Sequence, residues 1–296
     1  MDWLTLALVS TASFAAAVLV DKLLLSCCIR NSAAYLLALI TFQQIFVVLV
    51  FAFFGAGFSY PLSLYGMLAG TAQAMMYVSY LRALQIEEAS RVTSLIFVYP
   101  IFVFLGSSLL LGEVMSSRQY LGGIMLVVSA VLVSYRPIPG RSMAFSPALK
   151  HLFFFWIFAA LYAIGIKYLL TLMSEWHLFI WSSLGTLIAV LPFLADREVR
   201  AEAFGFFRAG PSLLGAMFIE EIFDFLGRLL SIFAFAMGPV VLVSAVGALQ
   251  PSITLVYILA LGFFMPKLLE EEMDRRTLTT KFMAAILVVI GIYLVS

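Results

Sequence analysis

Ten apolar runs, most of them near the length of a bilayer-crossing helix, divide this chain of 296 residues. They lie at about 3–26, 33–54, 62–83, 91–111, 118–135, 150–173, 177–195, 211–236, 240–265 and 280–296. A helix crossing a bilayer needs roughly 20 apolar residues, and inside hydrocarbon it must satisfy its own backbone N–H and C=O groups. Ten such helices use about 200 residues and leave about ten for each connection. The longest connections are RPIPGRSMAFSPALK, DREVRAEAFGFFRAG and PKLLEEEMDRRTLTT, none of them long or polar enough for a separate soluble domain. Composition agrees: 64% of residues are apolar and 11% charged, with a mean hydropathy of +1.11. A soluble domain is about half apolar and a quarter charged, so a soluble enzyme is excluded. The runs are too continuous for the alternating ten-residue strands of an outer-membrane barrel. The expected fold is an all-α integral membrane protein with ten transmembrane helices in a lipid bilayer.

Lysine and arginine orient the bundle. One set of alternate connections holds Arg30, Arg82, Arg91, Arg136, Arg141, Lys150, Arg197, Arg200, Arg208, Lys267, Arg275, Arg276 and Lys281, and the other set holds Arg118. Thirteen against one places both termini outside the cytoplasm, with an even number of spans. The expected location is a prokaryotic inner membrane. The first run lacks a basic start and continues past signal-peptide length to Asp21 and Lys22, so it is expected to be a retained span. Cys27 and Cys28 are adjacent, a spacing that suits neither a disulfide nor a metal site. A net charge of +1 gives no ground for a nucleic-acid partner. A monomer or a homodimer is expected.

The halves resemble each other. VDKLLLSC near Lys22 matches GIKYLLTL near Lys167, SLIFVYPIFVFL around Pro100 matches AVGALQPSITLV around Pro251, and LVVSAVLVSY matches LVVIGIYLVS. Five spans per half is an odd number, so repeats at 1–140 and 148–296 are expected to lie inverted, as in secondary transporters.

The stretch ASRVTSLIFVYPIFVFLGSSLLLGEVMSSRQYLGGIMLVVSAVLV, residues 89–133, resembles the end of an EamA domain of the drug/metabolite transporter superfamily. Its marks are the mid-helix Pro100, the pair Gly112-Glu113, and the run from Gln119 to Gly122-Gly123. Residues 240–296 resemble the same pattern through Gln250-Pro251, with a longer charged loop in place of the Gly-Glu pair. The resemblance implies a ten-helix carrier of small metabolites with a central cavity and peripheral spans 5 and 10.

Span 8 carries the chemistry. Glu220, Glu221, Asp224 and Arg228 fall at about 0°, 100°, 40° and 80° around a helix, one sector of one face. Each charge near the bilayer centre costs roughly 2.5–3.5 kcal/mol, so four facing lipid would cost on the order of 10 kcal/mol. The stripe is therefore expected to face other helices or water, as a polar site in a cavity. Asp224 and Arg228 are spaced to pair. Glu220 and Asp224 repel when both are ionised, which suits exchange of a proton with substrate. A salt-bridged strut without ligand is the competing account.

Pro100 and Pro251 are expected to break spans 4 and 9, freeing the carbonyls of Ile96 and Gly247 either to line a site or simply to kink a packed helix. Lys22 and Lys167 occupy matching places; snorkelling suits Lys22, whereas Lys167 lies deeper. Gln43, Gln44, Gln73 and Gln250, with Tyr77, Tyr80 and Tyr99, could supply neutral contacts. Trp176 and Trp181 suit the interfacial belt. Gly66/Gly70 and Gly122-Gly123 suit close helix contact. His151 and His177 have no metal spacing, and no Walker loop, nucleotide fingerprint or Ser-His-Asp arrangement occurs, so no metal, cofactor or catalytic residue is expected. The expected function is a proton- or gradient-coupled secondary carrier, with export as the direction, of a small polar or amphipathic metabolite. Three acids against Arg228, Lys167 and Lys22 favour an amino-acid-like substrate. The alternatives are a metal-dependent membrane enzyme acting on lipid and a divalent-cation carrier.

Overall fold

In the computed structural model, residues 2–27, 31–86, 92, 95–134, 148–208, 210–264 and 275–295 are described. Among them the chain is helical, with no strand. Cys28, Arg30, Arg91 and residues 135–147 and 265–274 lie outside the described residues, as do the side chains of Lys22 and Cys27.

The helices are α1 (Trp3–Cys27), α2 (Ser32–Phe54), α3 (Leu62–Ile86), α4 (Tyr99–Leu110), α5 (Ser117–Ser134), α6 (Leu149–Leu169), α7 (Glu175–Val190), α8 (Arg197–Phe207), α9 (Pro211–Met237), α10 (Val240–Gly247), α11 (Gln250–Phe264) and α12 (Arg275–Val295). Their ends follow local chemistry. Asp2 accepts from the amide and hydroxyl of Thr5 ahead of α1. The Asn31 side chain accepts from the amides of Ala33 and Ala34 at 3.0 and 3.2 Å, and α2 ends at Gly55 with φ 63°. Pro211 opens α9, where a missing N–H costs nothing.

Five described helical stretches are by themselves long and apolar enough to cross a membrane: Trp3–Asp21, Ser32–Phe54, Leu149–Leu169, Glu175–Ala195 and Val240–Ile258. The outer surface is the reverse of a soluble protein's, with Phe53 81% and Leu109 83% exposed.

Two features refine the expected spans. The connection 196–210 contains α8, capped by Asp196 and amphipathic, with Val199, Ala203 and Phe206 buried against the start of α2. Span 9 is two helices, α10 and α11, separated by a turn at Ala248–Leu249. A turn at Phe97–Val98 likewise precedes α4. Each turn stands just ahead of its proline, Pro100 or Pro251.

The halves interlock. α1 runs antiparallel along α9, with the Ser10 hydroxyl donating to the Gly227 carbonyl at 2.6 Å and Trp3 against Gly238. α3 packs on both α6 and α7, and α5 on α12. Gly70 and Gly185 set the α3–α7 spacing: a Cβ on either would overlap the backbone of Ser182 or Met67. Gly66 likewise meets Trp181, and Gly122 approaches Gly291 on α12. Contacts gather Trp3, Phe54, Trp176, Gly238 and Tyr293 at one end of the bundle, and Asn31, Arg82, Lys150 and α8 at the other.

Candidate functional site

The charged stripe of α9 turns inward. Glu220, Glu221 and Arg228 are 4%, 3% and 3% exposed. The Arg228 guanidinium donates to Asp224 at 2.8 Å, and the Asp224 side chain retains 15% exposure, the most open member of the stripe. The other guanidinium arm donates to the Gln73 carbonyl oxygen on α3 at 3.2 Å. That oxygen also accepts from Thr186 on α7 at 3.2 Å, while the Thr186 hydroxyl lies 3.0 Å from the Gly70 carbonyl. Gln73 is therefore a hub joining α3, α7 and α9. Tyr77 on α3 and Tyr162 on α6 both lie within electrostatic reach of Arg228 and Asp224.

Part of this polar set has no hydrogen-bond partner among the described residues. Glu220 Oε2, Glu221 Oε2 and Arg228 Nε are buried and unbonded. So are both amide atoms of Gln43, 1% exposed on α2, one turn from the Phe46 ring that stacks on Phe218 and Phe225. Each such buried group costs about 1–3 kcal/mol.

Sequence reasoning treated Asp21 only as the mark of a span's end. In the structure it lies on α1 beside the stripe, accepting from the Tyr35 hydroxyl at 2.5 Å and within electrostatic reach of Asp224 and Glu220. The signal was available: Asp21 lies inside an apolar helix, and the desolvation cost that turned span 8 inward applies equally to it.

Other candidates lie apart from the stripe. The Lys167 ammonium, expected deep in the cavity, donates to the carbonyls of Phe235 and Gly238 at 2.7 and 2.8 Å, capping the C-terminus of α9. Both Glu113 oxygens accept from the Val240 amide, at 3.0 and 3.1 Å, capping α10 on the far side of the same turn. Gly112, with φ 65°, redirects the chain so that Glu113 can reach across. The Gly112-Glu113 pair thus ties the first half to the second. The Tyr99 hydroxyl donates to the Ser244 carbonyl at 3.4 Å, and the Gln250 amide to the Phe14 carbonyl at 3.5 Å. Near the Pro100 break, the Leu95 carbonyl accepts from the Trp156 indole at 2.8 Å. The two breaks meet: Phe97 and Ala248 pack together with Val127. Two surface clefts, of about 360 and 490 Å³, are lined by residues outside the stripe.

Apolar helices with a charged stripe enclosed between them define a multi-pass α-helical membrane protein. Residues 1–135 match the EamA-like transporter family. A solved crystal structure of another protein aligns over 99% of this chain and 96% of its own, with a TM-score of 0.74 at 13% sequence identity, a likeness of fold alone. No curated protein matches the chain.

Proposed function

We propose that the chain is a proton- or gradient-coupled secondary carrier that exports a small metabolite bearing an amino group, working by rocking two inverted five-helix halves. One observation carries the reading: a buried polar cluster drawn from both halves, Asp21 and Gln73 from the first and Glu220, Glu221, Asp224 and Arg228 from the second, in which one carboxylate oxygen each of Glu220 and Glu221 stands without a donor among the described residues. Ammonium hydrogens or bound protons are what such acceptors lack. Among the described side chains, with Asp21 added and Lys167 occupied elsewhere, four acids face Arg228. An amine is therefore the primary group recognised. A substrate carboxylate would have to compete with Asp224 for the guanidinium.

Helix pairing supports the inverted repeat. Exchanging each helix for its counterpart turns α1–α9 into α6–α3, and α1–α10/α11 into α6–α4, while α2–α7, α4–α10 and α5–α12 map onto themselves; all of these pairs are in contact. The proline-linked turns differ by the 151 residues that relate Pro100 to Pro251. The symmetry is not exact, and its largest departure is that α3 packs closely on α7, whereas α2 meets α9 less extensively. An unequal pair of this kind suits a carrier caught closed at one end. Gathering of the described Arg82, Lys150, Arg197 and Arg200 at the end away from Trp3 supports termini outside the cytoplasm.

A metal-dependent lipid enzyme and a divalent-cation carrier are the alternative readings, and transport that needs a divalent cation would favour them. Purified protein in liposomes is expected to move radiolabelled amines down an imposed pH gradient. Glu220→Gln or Asp224→Asn should lower that rate by about tenfold or more while the detergent-solubilised protein remains monodisperse. Wild-type rates in both variants would overturn the proposal. EDTA should leave the rate unchanged.

A further inference from the structure

We infer that the cleft between α3, α6 and the end of α7 is a binding site for an anionic phospholipid. Its volume is about 490 Å³, within the range of small-molecule sites. Arg82 on α3 and Lys150 and His151 on α6 stand at one end of it. One to two turns deeper, about 5–12 Å at 1.5 Å per residue, the lining becomes apolar, with Phe154 and Phe158 on α6 and Met75 and Val78 on α3, while Phe193 beyond α7 walls the basic end. Arg82 and Lys150 are exposed and make no ion pair among the described residues. The charge-to-apolar gradient runs along the helix axes, as a lipid's own does. It lies at the basic end of the bundle, and basic pockets between transmembrane helices there take anionic headgroups.

A free phosphate would use the cations but leave the aromatic depth empty, whereas a neutral acyl chain would leave the cations unpaired. Both parts of the cleft are used by a phospholipid with net negative charge. Phe154 is 44% exposed on the outer surface, so the apolar part opens toward hydrocarbon. The cleft is separate from the charged stripe but shares α3 with the Gln73 hub that Arg228 bonds. On α3, Gln73 and Tyr77 fall within about 40° of each other, while Val78, Arg82 and Ser79 fall at about 140°, 180° and 240° from Gln73. Lipid on one face of α3 therefore bears on the helix that carries the Gln73 hub on the other.

The test is thermal unfolding of the full chain in mild detergent, titrated with phosphatidylglycerol, phosphatidylcholine or inorganic phosphate. Phosphatidylglycerol is expected to raise the unfolding midpoint saturably, with little response to the other two. The Arg82→Ala/Lys150→Ala double variant should need about tenfold or more phosphatidylglycerol for the same shift, and Arg82→Lys should restore most of it. Phe154→Ala/Phe158→Ala should weaken the lipid response as well. Equal responses to the two lipids, an unchanged titration in the double variant, or a full response to inorganic phosphate alone would each overturn the inference. The readout is binding, so failure here leaves the transport reading standing, and loss of transport leaves this one standing.

Discussion

At the scale of single residues, the decisive fact is how few partners a buried charge can find. Arg228 is held by Asp224 and Gln73, and removing the guanidinium would leave Asp224 uncompensated beside Asp21, Glu220 and Glu221. Breaking a buried pair from one side costs roughly 3–5 kcal/mol. Arg228→Ala is therefore expected to lower the unfolding midpoint in detergent markedly, and Arg228→Lys much less. Asp21→Asn keeps the shape and an acceptor for Tyr35 but removes a charge. It should preserve the fold and lower pH-gradient-driven transport, measured in the same liposomes as Glu220→Gln. Lys167→Met should act differently, because the ammonium caps the carbonyls of Phe235 and Gly238. A loss of about 1–3 kcal/mol in stability is expected, with no change in substrate preference. The α9 stripe was legible in the sequence because its cost in lipid is a property of each residue. The employment of Lys167 was not, since the carbonyls it caps lie 68 and 71 residues further along the chain.

At the scale of elements, glycine and proline decide where helices approach and where they break. Gly70 lies so close to α7 that a Cβ would meet the Ser182 carbonyl carbon as well as its oxygen. Gly70→Val is expected to cost about 1–3 kcal/mol through overpacking, and to reduce transport by displacing the Gln73 hub on the next turn. Thermal unfolding and uptake measured on one preparation check both. Sequence pattern located the apolar runs and both proline-linked turns, since hydropathy and the missing N–H of proline act locally. It did not reveal α8, whose apolar stripe of Val199, Ala203 and Phe206 is short and interspersed with charges. Asp196→Ala, which removes the cap formed with the amides of Glu198 and Val199, should cost about 1 kcal/mol locally and appear as faster hydrogen exchange over 197–203.

At the scale of the whole molecule, the halves are not side-by-side domains. α1 lies along α9 and α3 along α6, so each half buries its apolar faces largely in the other. A chain divided between residues 140 and 148 is expected to give no stable half alone. The two fragments co-expressed should reassemble into a complex that purifies through a tag on either one. Separately folding halves, seen as monodisperse single fragments, would contradict this interlocked arrangement. The clamp of Glu113 on α10 and Lys167 on α9, on either side of Gly238-Pro239, holds one end of that arrangement together.

The sequence by itself determined that the chain is a helical membrane protein, where its apolar runs lie, and that the acids of span 8 turn away from lipid. Backbone satisfaction and charge desolvation are costs that each segment meets on its own. Only the tertiary structure decided that Asp21 and Gln73 join the stripe, that Lys167 and Glu113 serve as caps, and that the two helix breaks meet. Those outcomes depend on which distant helices lie side by side, and in an apolar solvent that choice rests on close packing and a few polar pairs rather than on hydropathy.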